Sequence, residues 1–427
     1  WSDGEALTAD DIVWNVETAL KAAQVASAFT SCFGYIEGAQ EFTEGTADHI
    51  SGIAVDGNTI TFTLTAPYAY FLKNLANFSF LPKHCLEDQD PLELYQCDFW
   101  SAPVTSGYYK FGEMVVGSYY TMVLNEYYTG TAPKIEKVVV NFTDSALTAV
   151  TTGASDYAFF NSASDLDVAN ADPNLTGYYN EYLFYRYFVF NICGADGNEN
   201  PAMQDVNVRK AIALAIDQNA LAELYKGAAT AQTSGVPISD PDNSGDGLGY
   251  DPEQAKALLD EAGWDWDYTL RILYYNKDDT TKNLIQAVIY YLESIGMKVE
   301  STLSEDGTTD LFTTRNYDIG FKGTGPLDVY YSEFASTSET FKNIYGGDTD
   351  FDAPIAALMS ASKPEDVTAA KQALQKLEME KVYKVPLVTI GYMNYVNTSR
   401  VAIPESVTDL GCPGHRVDME FASWYIK

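Results

Sequence analysis

The stretch from Lys282 to Ser301, KNLIQAVIYYLESIGMKVES, reads as a helix, a stop and a strand. The helix is expected from about Lys282 to Ile295. Gly296 ends it, because glycine enters the left-handed conformation that closes a helix without a Cβ clash. Met297, Val299 and Ser301 look like the strand behind it. Helix, glycine and strand in that order mark an α/β unit.

The same grammar extends in both directions. Upstream, Asp251-Pro252-Glu253-Gln254 is a helix start, with a capping acid, proline at the first helical position and another acid next. That helix carries Ala255, Leu258 and Leu259 and ends at Gly263. A helical stretch begins near Asp205 with Val206, Ala211, Ile212 and Ala215, and Asp217 caps a second one that stops near Gly227. Downstream, a helix from about Pro364 to Val382 leads into the apolar segment Val385 to Ile390. In the first part of the chain, Thr8 caps a helix whose Ile12, Val13, Val16 and Leu20 share one face. Asp56-Gly57-Asn58 is a turn, and from Thr59 to Thr65 apolar Ile60, Phe62 and Leu64 alternate with threonine, as in a half-buried strand. Val138 to Val140 and the aromatic run Tyr185 to Phe190 suggest further strands. Ser234 to Gly249 and Gly323 to Pro326 read as loops. The first holds Asp240, Asp242 and Asp246 and resembles a calcium loop, but it lacks the closing glutamate, so no metal is expected there.

With 427 residues the chain is too long for one core, and two or three domains are expected. Its 46% hydrophobic and 20% charged residues make it globular rather than disordered. The net charge of −34 argues against nucleic acid and anionic membranes as partners, since phosphate binding needs clustered Lys and Arg. That charge either draws in cationic ligands or is simply a solvated surface. The 31 tyrosines suit a surface that must be both apolar and hydrogen-bonding, or a protein rich in strand. Cys32, Cys85, Cys97, Cys193 and Cys412 form no CxxC pair, though Cys85 and Cys97 flank one loop-like stretch and are candidates for a disulfide. His49, His84 and His415 are scattered without ligand spacing, so no metal site and no cofactor are expected. No run is apolar and long enough to span a bilayer. The opening Trp1-Ser2-Asp3-Gly4 reads as the middle of a fold, so an export signal is expected to have preceded it.

Several segments, in order, resemble the family 5 extracytoplasmic solute-binding proteins of ABC transporters, the oligopeptide, dipeptide and nickel class. Trp1-Ser2-Asp3-Gly4 with Leu7-Thr8-Ala9-Asp10-Asp11-Ile12-Val13 is similar to the family's opening signature. Pro67 to Pro82, Pro103 to Lys110 and Asn125 to Pro133 resemble its next three motifs. The sharpest likeness is Phe190-Asn191, Pro201, Asp205, Val208-Arg209-Lys210-Ala211-Ile212 and Ala215-Ile216-Asp217. Tyr250-Asp251-Pro252 through Ala262-Gly263-Trp264 follows it. Departures include Ala6 for the usual proline, Asn207 for a common arginine, and an altered loop from Gly320 to Phe334. The family's first strands, one wall of its cleft, are missing.

The resemblance implies an α/β, two-lobed periplasmic-binding-protein-like fold of type II, with an extra subdomain in lobe I and a ligand cleft between the lobes. It places the extra subdomain at 1–105 and the lobe I core at 106–190, to which 386–427 returns. Lobe II is then 191–385, with a hinge near Phe190-Asn191 and Pro386-Leu387. It implies a monomer that captures an oligopeptide or other small solute by lobe closure and passes it to a membrane permease. The protein would work in a periplasm or as a lipoprotein on the outer face of the membrane. Asp328 is the position matching the family's partner for the peptide ammonium, with a turn-capping role as the rival. Asn191 would touch peptide main chain, or else hold its own backbone. Phe29 and Tyr35 would lie over the ligand, against ordinary core packing. Tyr187 and Tyr330 would supply aromatic walls. Gly323 and Gly325 would let backbone approach the ligand, or merely shape a turn. An oligosaccharide ligand on the same fold stays open. A hydrolase is disfavoured because no nucleophile elbow, HExxH or phosphate-cradling glycine loop is present.

Overall fold

The computed structural model describes residues 1–22, 32–76, 78–160, 162–195, 200–325, 327–405 and 421–427. The chain divides into two compact units. One comprises 1–158, 174–176 and 396–427, the other 159–173 and 177–395. Phe190-Asn191 and Pro386-Leu387, where the sequence suggests a lobe boundary, both fall inside the second unit.

In the first unit the helix Ala9–Lys21 starts where the sequence places it. Thr8 and Asp11 form a capping box, with Thr8 N–H donating to Asp11 Oδ2 at 2.8 Å. Strands β1 (Ile53–Asp56) and β2 (Thr59–Phe62) pair antiparallel across the two-residue turn Gly57-Asn58. Gly57 sits at φ +60°, a conformation that a residue with a Cβ adopts only at a cost. Val16, Leu20, Phe33, Ile36, Phe42 and Phe71 form the core beneath this hairpin. A three-stranded antiparallel sheet follows, from β3 (Tyr109–Val115), β4 (Tyr119–Leu124) and β5 (Lys137–Asn141), the last holding the expected Val138 to Val140.

The second unit is organised by a mixed sheet. Its strands are β6 (Tyr157–Phe160), β7 (Leu175–Phe190), β8 (Ala229–Ala231), β9 (Thr269–Tyr274), β10 (Lys298–Leu303), β11 (Ile319–Thr324) and β12 (Lys384–Asn397). Among the described residues the order is β10-β9-β11-β7-β12-β6, with β8 alongside β12. Parallel β9 and β10 are joined by the helix Asp279–Ser294, and Gly296 stops the chain at φ +103°. The Lys282 to Ser301 stretch is therefore the α/β unit it reads as. The helices Val206–Leu214, Gln218–Glu223 and Pro252–Glu261 carry the expected caps, Asp205, Asp217 and Asp251, each accepting from backbone N–H groups of the first turn. The helix Pro364–Lys381 leads into β12 through Val382 at φ +48°, with no glycine to ease that turn.

The acidic loop 234–249 holds a cation of the protein's own. Lys371 Nζ donates to Asp240 Oδ1 at 2.9 Å and Oδ2 at 2.7 Å, and to Asp242 Oδ2 at 2.8 Å. Burial lowers the lysine's pKa, but the two carboxylates outweigh it and hold the pKa above its ordinary value. An ammonium thus stands where a calcium-like reading of the loop would put a metal. Cys85 and Cys97 are free thiols and are not bridged to each other.

Candidate ligand site

The antiparallel pair β7–β11 fixes the geometry of the candidate residues. Its register sets Ile319 against Phe190, Lys322 against Tyr187, Gly323 against Arg186 and Thr324 against Tyr185. Side chains alternate faces along a strand, so Lys322 and Tyr187 share one face while Gly323 and Arg186 share the other. Asn191 lies at one end of the pair, and Gly323, Gly325 and Asp328 lie at the opposite end. At about 3.4 Å per residue, the ends are roughly 20 Å apart.

At the Asn191 end the polar groups of Asn191 and Asp318 are consumed. Asn191 is fully buried, and its Nδ2 donates to Arg315 O at 2.7 Å and Tyr317 O at 2.9 Å. Its Oδ1 accepts from Gly194 N–H at 3.0 Å. Both amide hydrogens are spent on backbone, so the side chain holds its own surroundings and has no donor for a peptide. Beside it the fully buried Asp318 accepts from Asn200, Tyr268 and the backbone and guanidinium of Arg271 at 2.8 to 3.2 Å.

Tyr187 and Tyr330, expected as ligand walls, are also fully buried. They enclose Lys384, whose ammonium lies 4.7 Å from the Tyr187 ring centre, 4.1 Å from Tyr330 and 4.3 Å from Phe334. Lys384 Nζ donates to Glu333 Oε2 at 2.6 Å and Tyr330 O at 2.9 Å, and Lys322 Nζ donates to Glu333 Oε1 at 2.9 Å. The Tyr187 hydroxyl also donates to Glu333, at 2.5 Å. The Tyr330 and Tyr331 hydroxyls and Gly235 N–H all donate to the carboxylate of Glu378. A void of about 10 Å³ beside Glu378 and Lys384 leaves space for about one water. The aromatic box is therefore filled by the protein's own cation, and no ligand ammonium enters it.

Burial sets the electrostatics of this cluster. It pushes Lys384 down to about 8, against attraction from Glu333. It also pushes Glu333 up, but Lys384 and Lys322 outweigh it and hold that carboxyl below its ordinary value. The two partners thus both shift downward, because the carboxylate faces two ammonium groups while burial of Lys384 outweighs its attraction to Glu333. Near neutral pH the pair is charged. Glu378 is raised by its own burial, which its hydroxyl and backbone donors do not offset.

Of the expected residues in the second unit, those not fully buried lie where β11 ends and the short helix Leu327–Ser332 begins. Asp328 is half-buried in the first turn of that helix, whose other side is fixed by Tyr330 and Tyr331. A Cβ on Gly325 would meet no atom within 4 Å, so its backbone can be approached. A Cβ on Gly323 would stand 2.5 Å from Arg186 Nη1 and 2.6 Å from the Phe184 ring, so this glycine makes room for the cross-strand arginine. Sequence reasoning missed Arg186. Its guanidinium lies over Phe184 at 5.0 Å and Phe321 at 5.7 Å, and among the described residues its buried Nε has no partner. Its place one residue before the expected Tyr187 in an aromatic strand was the available signal. Tyr35, in the first unit, is half-buried and stacks on Tyr68 with ring centres 4.3 Å apart. Phe29 lies outside the described residues. A separate surface recess of about 630 Å³, bordered by Asn207, Lys210, Tyr250 and Gln254, contains none of the expected residues.

Residues 1–346 match the model of the bacterial extracellular solute-binding proteins, family 5, middle region. The chain belongs to this family. Family 5 members are extracytoplasmic binding proteins. A Brucella ovis protein provisionally named as an ABC-transporter peptide-binding protein is 26% identical over 308 residues, covering 70% of this chain and 54% of the relative. The periplasmic oligopeptide-binding protein of Escherichia coli K12 is 27% identical over 332 residues, covering 70% of this chain and 57% of that protein. The family 5 chain thus spans about half the length of these relatives. Among solved structures, an ABC-transporter substrate-binding protein of Listeria monocytogenes superposes with a TM-score of 0.80 at 20% identity, over 100% of this chain and 85% of that one. That likeness establishes the fold, the α/β architecture of the family's two-lobed binding proteins, as the sequence implied.

Proposed function

We propose that this family 5 chain captures an oligopeptide outside the cytoplasm and hands it to the permease of an ABC transporter, carrying out no chemistry itself. The observation that carries the reading is the placement of Asp328. It is a half-buried acid at the head of a helix locked from behind by the Glu333–Lys384 and Tyr330–Glu378 contacts, next to the open backbone of Gly325. A carboxylate held on a rigid support is what a peptide ammonium needs on leaving water, since an unpaired charge there is costly. Approachable backbone at Gly325 suits main-chain hydrogen bonding to an extended peptide. Tyr187 and Tyr330 serve by supporting the site. Tyr35 remains a candidate ligand contact.

On this reading the protein is a monomer, free in a periplasm or anchored as a lipoprotein on the outer face of the membrane. The test is thermal-shift screening against mixed di- to octapeptides, oligosaccharides and nickel. Ligand that binds only the folded state raises the midpoint with its concentration over Kd. A rise with peptides that is lost in Asp328→Asn is expected. A rise with sugars alone would overturn the peptide assignment.

A further inference from the structure

A second cluster stands in the first unit and shares no residue with the candidate ligand site. Asp3, His84 and Cys85 each bring one ligand atom to a common point, and a carboxylate oxygen, a ring nitrogen and the sulfur all lie within 4.8 Å of one another. Asp3 and His84 are 81 residues apart in sequence, and Asp3 Oδ2 stands 2.7 Å from His84 Nε2.

The backbone holding these groups is tied down on both sides. Gly4 N–H donates to Trp1 O at 3.0 Å, and Asp3 Oδ1 accepts from Glu5 N–H at 3.2 Å. Ser2 and Thr105 exchange two bonds, Ser2 N–H to Thr105 O at 2.8 Å and Thr105 N–H to Ser2 Oγ at 3.0 Å. The helical turn Lys83–Leu86, which carries His84 and Cys85, is fixed to the helix Ala9–Lys21. Lys83 N–H donates to Asp11 Oδ1 at 3.0 Å, and Asn15 bridges the Leu81 backbone with one bond in each direction, at 2.7 and 2.8 Å. Leu86 is buried beneath the turn. The three ligands therefore need little further ordering to bind an ion.

We propose that Asp3, His84 and Cys85 form a binding site for a divalent transition-metal ion of the zinc class. An Asp–His ion pair by itself accounts for two of the groups and leaves the sulfur at the same point unexplained. One nitrogen, one oxygen and one sulfur form a donor set that suits zinc and its neighbours and not calcium or magnesium, which take oxygen. With metal–ligand bonds of about 2.0 to 2.3 Å, ligand atoms in a tetrahedral site stand roughly 3.5 Å apart. The Asp3–His84 contact opens by several tenths of an ångström to admit the ion, and water completes the coordination. The nearby Lys83 does not compete, because its ammonium is engaged by Asp10 at 2.5 Å.

Cobalt(II) titration of the reduced protein, followed by absorption, tests the site because sulfur bound to cobalt gives a charge-transfer band. One equivalent of cobalt is expected to produce the band, and one equivalent of zinc to displace it. The band is expected to vanish in Cys85→Ser and to persist in Cys97→Ser. Affinity is expected to fall tenfold or more in Asp3→Asn and in His84→Gln. Zinc is expected to raise the melting midpoint of the wild-type protein and not of Cys85→Ser, with both melting alike in its absence. No band in the wild type, a band kept in Cys85→Ser, or affinity unchanged in both Asp3→Asn and His84→Gln would overturn the proposal.

Discussion

The two ends of the β7–β11 strand pair carry polar residues to opposite purposes. At the Asn191–Asp318 end, donors and acceptors are matched in the interior: Asn191 spends both amide hydrogens on carbonyls, and Asp318 gathers Asn200, Tyr268 and Arg271. At the Gly323–Asp328 end, a buried nitrogen of Arg186 lacks a partner among the described residues, Gly325 leaves its backbone open, and Asp328 is half-buried. A polar side chain whose bonds are all made locally stabilises the fold. One that the fold supports and only half buries can also meet a ligand. The contrast separates two roles that residue type alone does not.

The largest effect that could break this comparison is at Asp318. Asp318→Ala strips partners from Asn200, Tyr268 and Arg271, and about 3 kcal/mol or more of stability should go. Denaturant unfolding showing a loss under 1 kcal/mol would mean that this end is not the rigid one. Asn191→Ala should cost about 2 kcal/mol, since it leaves buried backbone groups unpaired, while peptide affinity stays within twofold. A specific affinity loss there would return Asn191 to the ligand site.

The buried cluster behind Asp328 sharpens the comparison through pH. Folded Lys384 keeps its proton only to about 8, against 10.5 for an ordinary lysine. Between those values the unfolded chain binds the proton and the folded chain does not, so this group makes stability rise with pH across that window. Unfolding curves of wild type and Lys384→Met should diverge there, with the rise absent in the variant. Parallel curves would mean that Lys384 does not titrate as its burial dictates. The smallest stability effects belong at the open end. Asp328→Asn and Arg186→Met should each change stability by no more than about 0.5 kcal/mol while lowering peptide affinity, Asp328→Asn by tenfold or more.

The fold was legible because its signals are local. A capping acid, a proline at the first helical position and a closing glycine lie within one helix, so Asp251, Pro252 and Gly263 are read together. The buried cluster was not legible. Tyr187, Glu333 and Lys384 meet across 146 and 51 residues of sequence, and nothing in a tyrosine's surroundings along the chain shows that its ring will enclose an internal lysine. Tyr187 and Tyr330 read as ligand walls for that reason. Asn191 read either way, and only its hydrogen-bond partners separate the alternatives. The Asp240–Asp242 loop gave its spacing but not its cation, because Lys371 lies about 130 residues further on. The Asp3–His84–Cys85 cluster escaped a search for ligand spacing for the same reason.

The central claim is that Asp328 pairs with the peptide's ammonium, and a two-way comparison by calorimetry tests it most directly. One peptide, with its amino terminus free or acetylated, is titrated into wild type and into Asp328→Asn. Acetylation should cost the wild type at least tenfold in affinity and the variant almost nothing, because the partner is already gone. An equal loss in both proteins would contradict the account, since the ammonium would then be held elsewhere.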